Sequence, residues 1–171
     1  IAADFDDETT FTSWAPKIGL DYQFNEDVMG YVKINQGFKS GGYNVRAQST
    51  LFPETALPFD DEVMTVAELG FKSVLANRSL VLNGAVFYGD YTDIQVSTFT
   101  SYDSDGDGVD DAFFGNFLNA GDATIKGAEL EYNWASQSFF GLSGFLAYLD
   151  TDPDYLDEDG DGFVDTQVIT N

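Results

Sequence analysis

Apolar and polar residues alternate at period two along most of the chain, the spacing that sends successive side chains to opposite faces of a strand. Over residues 16–24 one face carries Ile18, Leu20, Tyr22 and Phe24, and the other Lys17, Gly19, Asp21 and Gln23. Asn25-Glu26-Asp27 reads as a short turn. Residues 28–36 then set Val28, Gly30, Val32 and Ile34 opposite Met29, Tyr31, Lys33 and Asn35. A third strand is expected over 65–73, with Leu69 and Phe71 facing away from Glu68 and Lys72, and Ala76-Asn77-Arg78 as the next turn. One unbroken strand is expected over 80–96. Residues 124–134 place Ala128, Leu130, Tyr132 and Trp134 opposite Gly127, Glu129, Glu131 and Asn133, and 135–138 turn the chain back. Phe140, Leu142, Gly144, Leu146 and Tyr148 share a face of the next strand, over 139–149, and a seventh starts near Gln167.

The connections alternate in length. Short turns near 26, 77 and 136 alternate with long loops at 40–60, 98–118 and 150–165, which places short and long connections on opposite rims. The expected fold is all-β, an antiparallel up-and-down meander of about 6–7 long strands. Two architectures share this alternation: a β-sandwich and an outer-membrane barrel with an apolar outer face and a polar lumen. The 80–96 strand is longer than the usual sandwich strand of about 5–6 residues. Tyr22, Phe24, Tyr132 and Trp134 lie close to the short turns, where an interfacial aromatic girdle would run. The barrel reading turns Ile18, Leu20, Val32, Leu69, Leu130, Leu142 and Leu146 to lipid, and Lys17, Lys33, Glu68, Lys72, Glu129 and Glu131 to the lumen.

Composition removes other classes. The chain of 171 residues carries 30 Asp+Glu against 7 Lys+Arg and a formal charge of −23. Neither a nucleic-acid phosphate backbone nor an anionic lipid surface is a partner for such a chain. With no Cys and no His, disulfides, zinc sites, haem ligation, thiol nucleophiles and Ser-His or Cys-His catalysis are excluded. No nucleophile–base pair emerges, so no enzyme activity is expected. No signal peptide is visible at the N-terminus, and the longest near-apolar stretch, 142–149, is far shorter than the roughly 20 residues of a spanning helix.

Five segments resemble a known family. Tyr31-Val-Lys-Ile-Asn-Gln-Gly-Phe-Lys-Ser-Gly-Gly-Tyr-Asn44 is similar to a barrel signature of TonB-dependent outer-membrane receptors, an aromatic strand ending in Gly-Phe-Lys-Ser-Gly-Gly. Val66-Ala-Glu-Leu-Gly-Phe-Lys-Ser73 resembles the family's Glu-Leu-Gly-x-Lys strand. Leu82-Asn-Gly-Ala-Val-Phe-Tyr88 with Tyr91-Thr-Asp-Ile-Gln-Val96 resembles the next, and the run from Asn119 to Glu131 the one after. Ser13-Trp-Ala-Pro-Lys-Ile-Gly-Leu20 is similar to the strand before them all. The resemblance implies that 1–171 is part of a barrel of about 22 strands in a Gram-negative outer membrane. It also implies active uptake of a scarce ligand, often a ferric siderophore, driven by a TonB-type energy transducer. Cobalamin, a saccharide or another metal complex would fit the same barrel. Nothing here resembles the family's plug domain or its transducer-binding segment, and the terminal aromatic strand of such barrels is missing. The expected partners are therefore the outer-membrane bilayer, a small-molecule or metal-complex substrate, and the transducer acting through the absent plug region. The rival from another class is a secreted calcium-binding β-sandwich that acts in adhesion or carbohydrate binding.

Two acidic loops, 103–111 and 157–165, repeat one pattern, D-x-D-G-D-G-x-x-D. Alternate carboxylates at Asp103, Asp105 and Asp107, and at Asp157, Asp159 and Asp161, can converge on a hard cation. Gly108 and Gly162 allow the turn that follows. Val109 and Phe163 would offer backbone carbonyls, and Asp111 and Asp165 a further oxygen, so each loop is a candidate calcium site. The pattern resembles the front half of an EF-hand loop, but Phe114 and Val168 stand where its bidentate Glu belongs and no helical flanks are evident; it is closer to the Asp-rich calcium repeats of extracellular proteins, and weak affinity is expected. The competing explanation is an acidic loop that is simply solvated.

Other residues carry less. Glu68, Lys72, Glu129 and Glu131 fit substrate or plug contacts as well as mutual pairing in a wet lumen. The Gly37–Asn44 run lacks a P-loop's Gly-Lys-Ser/Thr. Phe113, Phe114 and Phe117 suit either an aromatic substrate platform or packing beneath the acidic loop.

Overall fold

The computed structural model describes residues 7–119, 121–135 and 139–155. Ten strands follow in chain order: β1 Lys17–Asn25, β2 Val28–Lys39, β3 Gly42–Tyr43, β4 Pro58–Phe59, β5 Glu62–Leu75, β6 Leu80–Thr92, β7 Gln95–Tyr102, β8 Ala112–Asn119, β9 Gly121–Ala135 and β10 Gly141–Tyr155. One 3₁₀ turn, Pro53–Ala56, lies between β3 and β4. No described helix is long and apolar enough to cross a membrane.

Six strands form one antiparallel sheet in the order β1-β2-β5-β6-β9-β10. Each pairs with the long strand before it, as the alternating connections predict. This is an open wall, not a closed barrel. The pairing register fixes the faces: Leu20, Val32, Leu69, Val86, Ala128 and Tyr148 stand in one row across the sheet. Gly19, Lys33, Glu68, Phe87, Gly127 and Leu149 form the adjacent row on the other face. All seven residues expected on the apolar face share it, and all six expected charged residues share the opposite one. The apolar face stands uncovered, with Leu20 at 70% and Leu69 at 59% exposure. A sandwich would lay a second sheet over it, and among the described residues none does.

Glycine and aromatic residues interlock between strands. A Cβ at Gly70 would lie 2.5 Å from the Tyr31 ring, at Gly84 2.6 Å from Phe71, and at Gly127 2.5 Å from Phe87. Each ring thus lies over a neighbouring strand's glycine, which gives a chain rich in both residue types a way to interlock its strands. On the polar face the Tyr31 hydroxyl donates to Glu68 at 2.6 Å, and the Lys33 ammonium meets the same carboxylate at 2.8 Å. At the turn end Tyr22 packs edge-on against Phe24 at 4.9 Å, and Trp134 against Phe140 at 5.7 Å.

Several boundaries differ from the expected ones. The 80–96 strand is broken: Asp93 takes a left-handed φ of 56°, β6 stops at Thr92, and β7 leaves the sheet to pair with β8. The expected 98–118 loop is therefore a hairpin with its acidic tip at 103–111. Strand β10 runs on to Tyr155, beyond the expected boundary at 149, because Asp150, Thr151 and Asp152 continue the ladder against Lys126, Ile125 and Thr124. The loop expected at 40–60 holds β3, β4 and the 3₁₀ turn. The turn at 76–78 is built from three left-handed residues, Ala76, Asn77 and Arg78. The second acidic loop, 157–165, with Asp157, Asp159, Asp161, Phe163 and Asp165, and the strand expected near Gln167 lie outside the described residues.

Candidate functional site

At the loop end of the wall, two connections join into one unit: residues 40–61, between β2 and β5, and 93–120, which contains the β7–β8 hairpin. Five of the eight buried residues among those described, Asn44, Thr55, Glu62, Val96 and Phe114, lie in or at the foot of this unit. The apolar face of the wall is uncovered, and among the described residues the aromatic packing that most resembles a conventional core lies between the loops.

The junction is polar at its base. Glu62, at the start of β5, accepts from the Gln95 backbone N–H at 2.9 Å, from the Tyr91 hydroxyl and from the Lys39 ammonium at 3.4 Å. The Gln95 amide donates to the carbonyls of Ser40 at 3.1 Å and Asp60 at 3.0 Å. Asn119 closes the foot of the hairpin: its amide donates to the carbonyls of Asp60 at 3.0 Å and Asp93 at 2.8 Å, while its oxygen accepts from the Asp60 N–H at 2.8 Å. Higher up, Asn44 donates to the Gly115 carbonyl on β8 at 2.8 Å. Here the packing becomes aromatic. Phe52 stacks on Phe114 at 3.9 Å and meets Tyr102 edge-on at 4.9 Å. Thr55 holds the 3₁₀ turn that presents Phe52, its hydroxyl donating to the Phe52 carbonyl at 2.7 Å.

The three aromatic residues singled out from the sequence therefore divide. Phe114 is packed, at 8% exposure, Phe117 lies beside Phe59 at 5.7 Å, and Phe113 is open to solvent. Its neighbour on the open face is Phe99, which the sequence reading passed over. Serine and threonine surround Phe99, and the alternation that would have placed it runs between two sets of small polar residues.

At the hairpin tip, the carboxylates of Asp103, Asp105 and Asp107 bring oxygens within 4.8 Å of one another. Gly106 and Gly108 carry φ values of 81° and 88°, the left-handed region in which a Cβ is costly. The Asp103 carboxylate accepts four backbone N–H bonds, among them Gly106 at 2.6 Å and Gly108 at 2.7 Å. These bonds, Gly108's foremost and then Gly106's, hold its carboxyl below the ordinary aspartate range. Asp105 accepts from the Asp107 N–H at 3.2 Å, and Asp107 from Val109 at 2.8 Å. Asp111 stands apart from the three, its carboxylate accepting from the Ser104 N–H at 3.0 Å. A loop of this form can present oxygens to a hard cation, and its inward N–H bonds also account for its shape without one.

A family model described as TonB dependent receptor-like, beta-barrel, matches residues 2–169. Among solved structures, the ferric yersiniabactin uptake receptor FyuA from Yersinia pestis matches with a TM-score of 0.63 at 24% identity. The match covers 82% of this chain, which spans 18% of that receptor's length.

Proposed function

This chain belongs to the family of TonB-dependent receptor β-barrels, and we propose that the protein it helps to build is an outer-membrane transporter. In this reading it takes up a scarce nutrient, a ferric siderophore or another iron complex, with energy from a TonB-type transducer. The observation that carries the proposal is the two-sided wall. Strands β2, β5, β6, β9 and β10 run for 12 to 15 residues, enough to cross a bilayer core that needs about 9–11. One side offers lipid a band of apolar side chains, bounded toward the loops by Thr65, Asp90 and the Lys126–Asp150 pair. The other carries the Lys33–Glu68 pair and, nearby, Asn83 donating to Glu131 at 3.2 Å, the kind of polar lining a wet lumen accepts. The family supports uptake, and the ferric chelate in the matched receptor's name supports iron as the cargo class.

The test is energy-dependent uptake of radiolabelled iron by the native host. Deleting the receptor gene should abolish uptake from at least one of a set of ferric hydroxamate, catecholate and phenolate chelates, and deleting the transducer should reproduce the loss. Uptake of every member at wild-type rate in the receptor deletion would overturn the iron reading.

Calcium at the acidic tips belongs to the same proposal. Its support is the convergence of Asp103, Asp105 and Asp107; the Val109 carbonyl would add a further oxygen, and Asp111 would join only by leaving the Ser104 N–H. A dissociation constant on the order of 10⁻⁴ to 10⁻³ M is expected for such an extracellular site. Calorimetric titration of the full receptor decides it: identical calcium heats in the wild type and in Asp105→Asn with Asp159→Asn would leave only a solvated loop.

A further inference from the structure

The junction between the loops takes one whole face of the β7–β8 hairpin and the foot of the other, where Phe117 lies beside Phe59. Val96, Tyr102 and Phe114 point into it, whereas Ser97, Phe99, Ser101 and Phe113 alternate to the other face. There Phe99 and Phe113 are 61% and 70% exposed and meet edge-on at 6.1 Å. The foot of the hairpin sits on the polar side of the wall, where the Glu62 carboxylate accepts from the Gln95 N–H, and there Gln95 and Asn119 are tied to the Asp60 carbonyl, which leaves Phe99, Ser101 and Phe113 as the open upper part of this face. The loop core holds it in place before any ligand arrives, which spares binding the cost of ordering a flexible loop.

The charge around that face is one-sided. Residues 40–61 and 93–120 carry nine carboxylates and a single cation, Arg46. Lys39, which leads into the first of these loops, is already paired with Glu62. Lys126 on β9 is paired with Asp150 at 3.0 Å. The Ser101 hydroxyl donates to Asp110 at 3.1 Å, which anchors a carboxylate beside Phe99 and Phe113. A field from such groups is felt over about 8 Å at physiological ionic strength, enough to act on anything resting against the two rings. A calcium ion at the tip would reduce this excess without reversing it.

We propose that this hairpin face is a fixed wall of the ligand-entry vestibule that accepts complexes with an apolar surface and zero or positive net charge and repels anionic ones. The proposal rests on the uptake reading and narrows its substrate class. Rejection by repulsion is the cheaper half of such selectivity, since it needs no contact tailored to the wrong ligand. The rings supply attraction that is indifferent to charge sign, and the carboxylates supply the discrimination.

The experiment uses the full-length receptor with any cysteines elsewhere replaced; this chain contributes none. Ser97→Cys, and in a second variant Ser101→Cys, places a thiol on the open face. Modification rates by a cationic trimethylammonium and an anionic sulfonate methanethiosulfonate are compared, each normalised to free cysteine. The expected ratio favours the cation by about tenfold at low salt, collapses in high salt, and shrinks when Asp103, Asp110 and Asp111 are all changed to Asn. A low-salt ratio of about one in both variants overturns the proposal. A second arm measures binding of one ferric tris-hydroxamate in three forms: with a terminal ammonium, with that amine acetylated, and with it succinylated. Affinity should fall in that order, and the reverse order overturns the proposal. If none of the three binds, that chelate is not the cargo, and the thiol ratio alone supports or overturns the inference. Failure of the iron reading is thereby kept separate from failure of this one.

Discussion

Leu69→Arg on β5 tests which side of the wall meets lipid. Along the apolar face of β5, Leu69 is four residues from Thr65 toward the loops and four from Ser73 toward the turns. At about 3.3 Å per residue it sits about 13 Å from each polar end, close to the middle of an apolar band about 25 Å tall. Its partners across the strands are Val32 and Val86, so no carboxylate in its row can pair with the new guanidinium. The full midplane cost applies, about 2–4 kcal/mol. Thr65→Arg, on the same face at the band's edge, should cost about 0–1 kcal/mol, the more so because its cross-strand partner is Asp90. Glu129→Arg, on the polar face, should cost no more than that. The assay is guanidinium unfolding of the full-length receptor folded into lipid vesicles, followed by the mobility difference between folded and unfolded barrels on gels. Equal losses for Leu69→Arg and Glu129→Arg would refute the assignment of faces, and a larger loss for Glu129→Arg would invert it.

Three further outcomes are expected. Gly70→Val should cost about 1–3 kcal/mol through overpacking against the Tyr31 ring, while Gly37→Val, into open space, should be close to neutral in the same unfolding assay. Phe52→Ala removes the ring stacked on Phe114 and should weaken amide protection by at least about 1 kcal/mol, from stacking worth ~0.5–1.5 and the burial lost with it; hydrogen exchange should show this in 48–55 and in β8 together, and a change confined to 48–55 would mean the loops are not one unit. The Asp103 carboxyl is lowered in the folded tip, so its contribution is present above the ordinary aspartate range and is lost as pH falls through the lowered value. Protection of the Gly106 and Gly108 amides, corrected for intrinsic rates, should therefore drop in acid in the wild type and much less in Asp103→Asn.

The wall was legible in the sequence because a barrel strand writes both of its environments into alternate residues. Leu69 beside Glu68, or Leu130 beside Glu129, admits only one assignment of faces, and short turns fix which strands pair. The β7–β8 hairpin was illegible for the complementary reason. Ser97, Thr98, Ser101 and Phe99 alternate without a clear polar side, and the Asp-Gly tip dominates the composition of the whole segment. The end of β10 was misread because Asp150 and Asp152 look like loop residues until Lys126 is seen opposite one of them. The loop junction has no periodic trace at all: Asn44 meets Gly115 across a gap that only the fold closes. Of the tip, the convergence of Asp103, Asp105 and Asp107 was legible from spacing, whereas the separate position of Asp111 depends on Ser104 taking its carboxylate.

The break at Asp93 makes the hairpin a cassette. Strand β6 and strand β9 are already joined where the hairpin departs, the Ile94 N–H donating to the Gly121 carbonyl at 2.9 Å and the Asp93 backbone N–H to the Asp122 carboxylate at 3.0 Å. The register of the wall is complete below that point and takes nothing from what lies above it. A tight turn could bridge the stem, and a different hairpin could be grafted onto it, without moving one rung of the ladder beneath. What such an exchange must carry along is the 40–61 loop, because Asn44 and Phe52 would otherwise face water. In this architecture the unit that can be exchanged is a matched pair of loops, and the wall beneath serves as its socket.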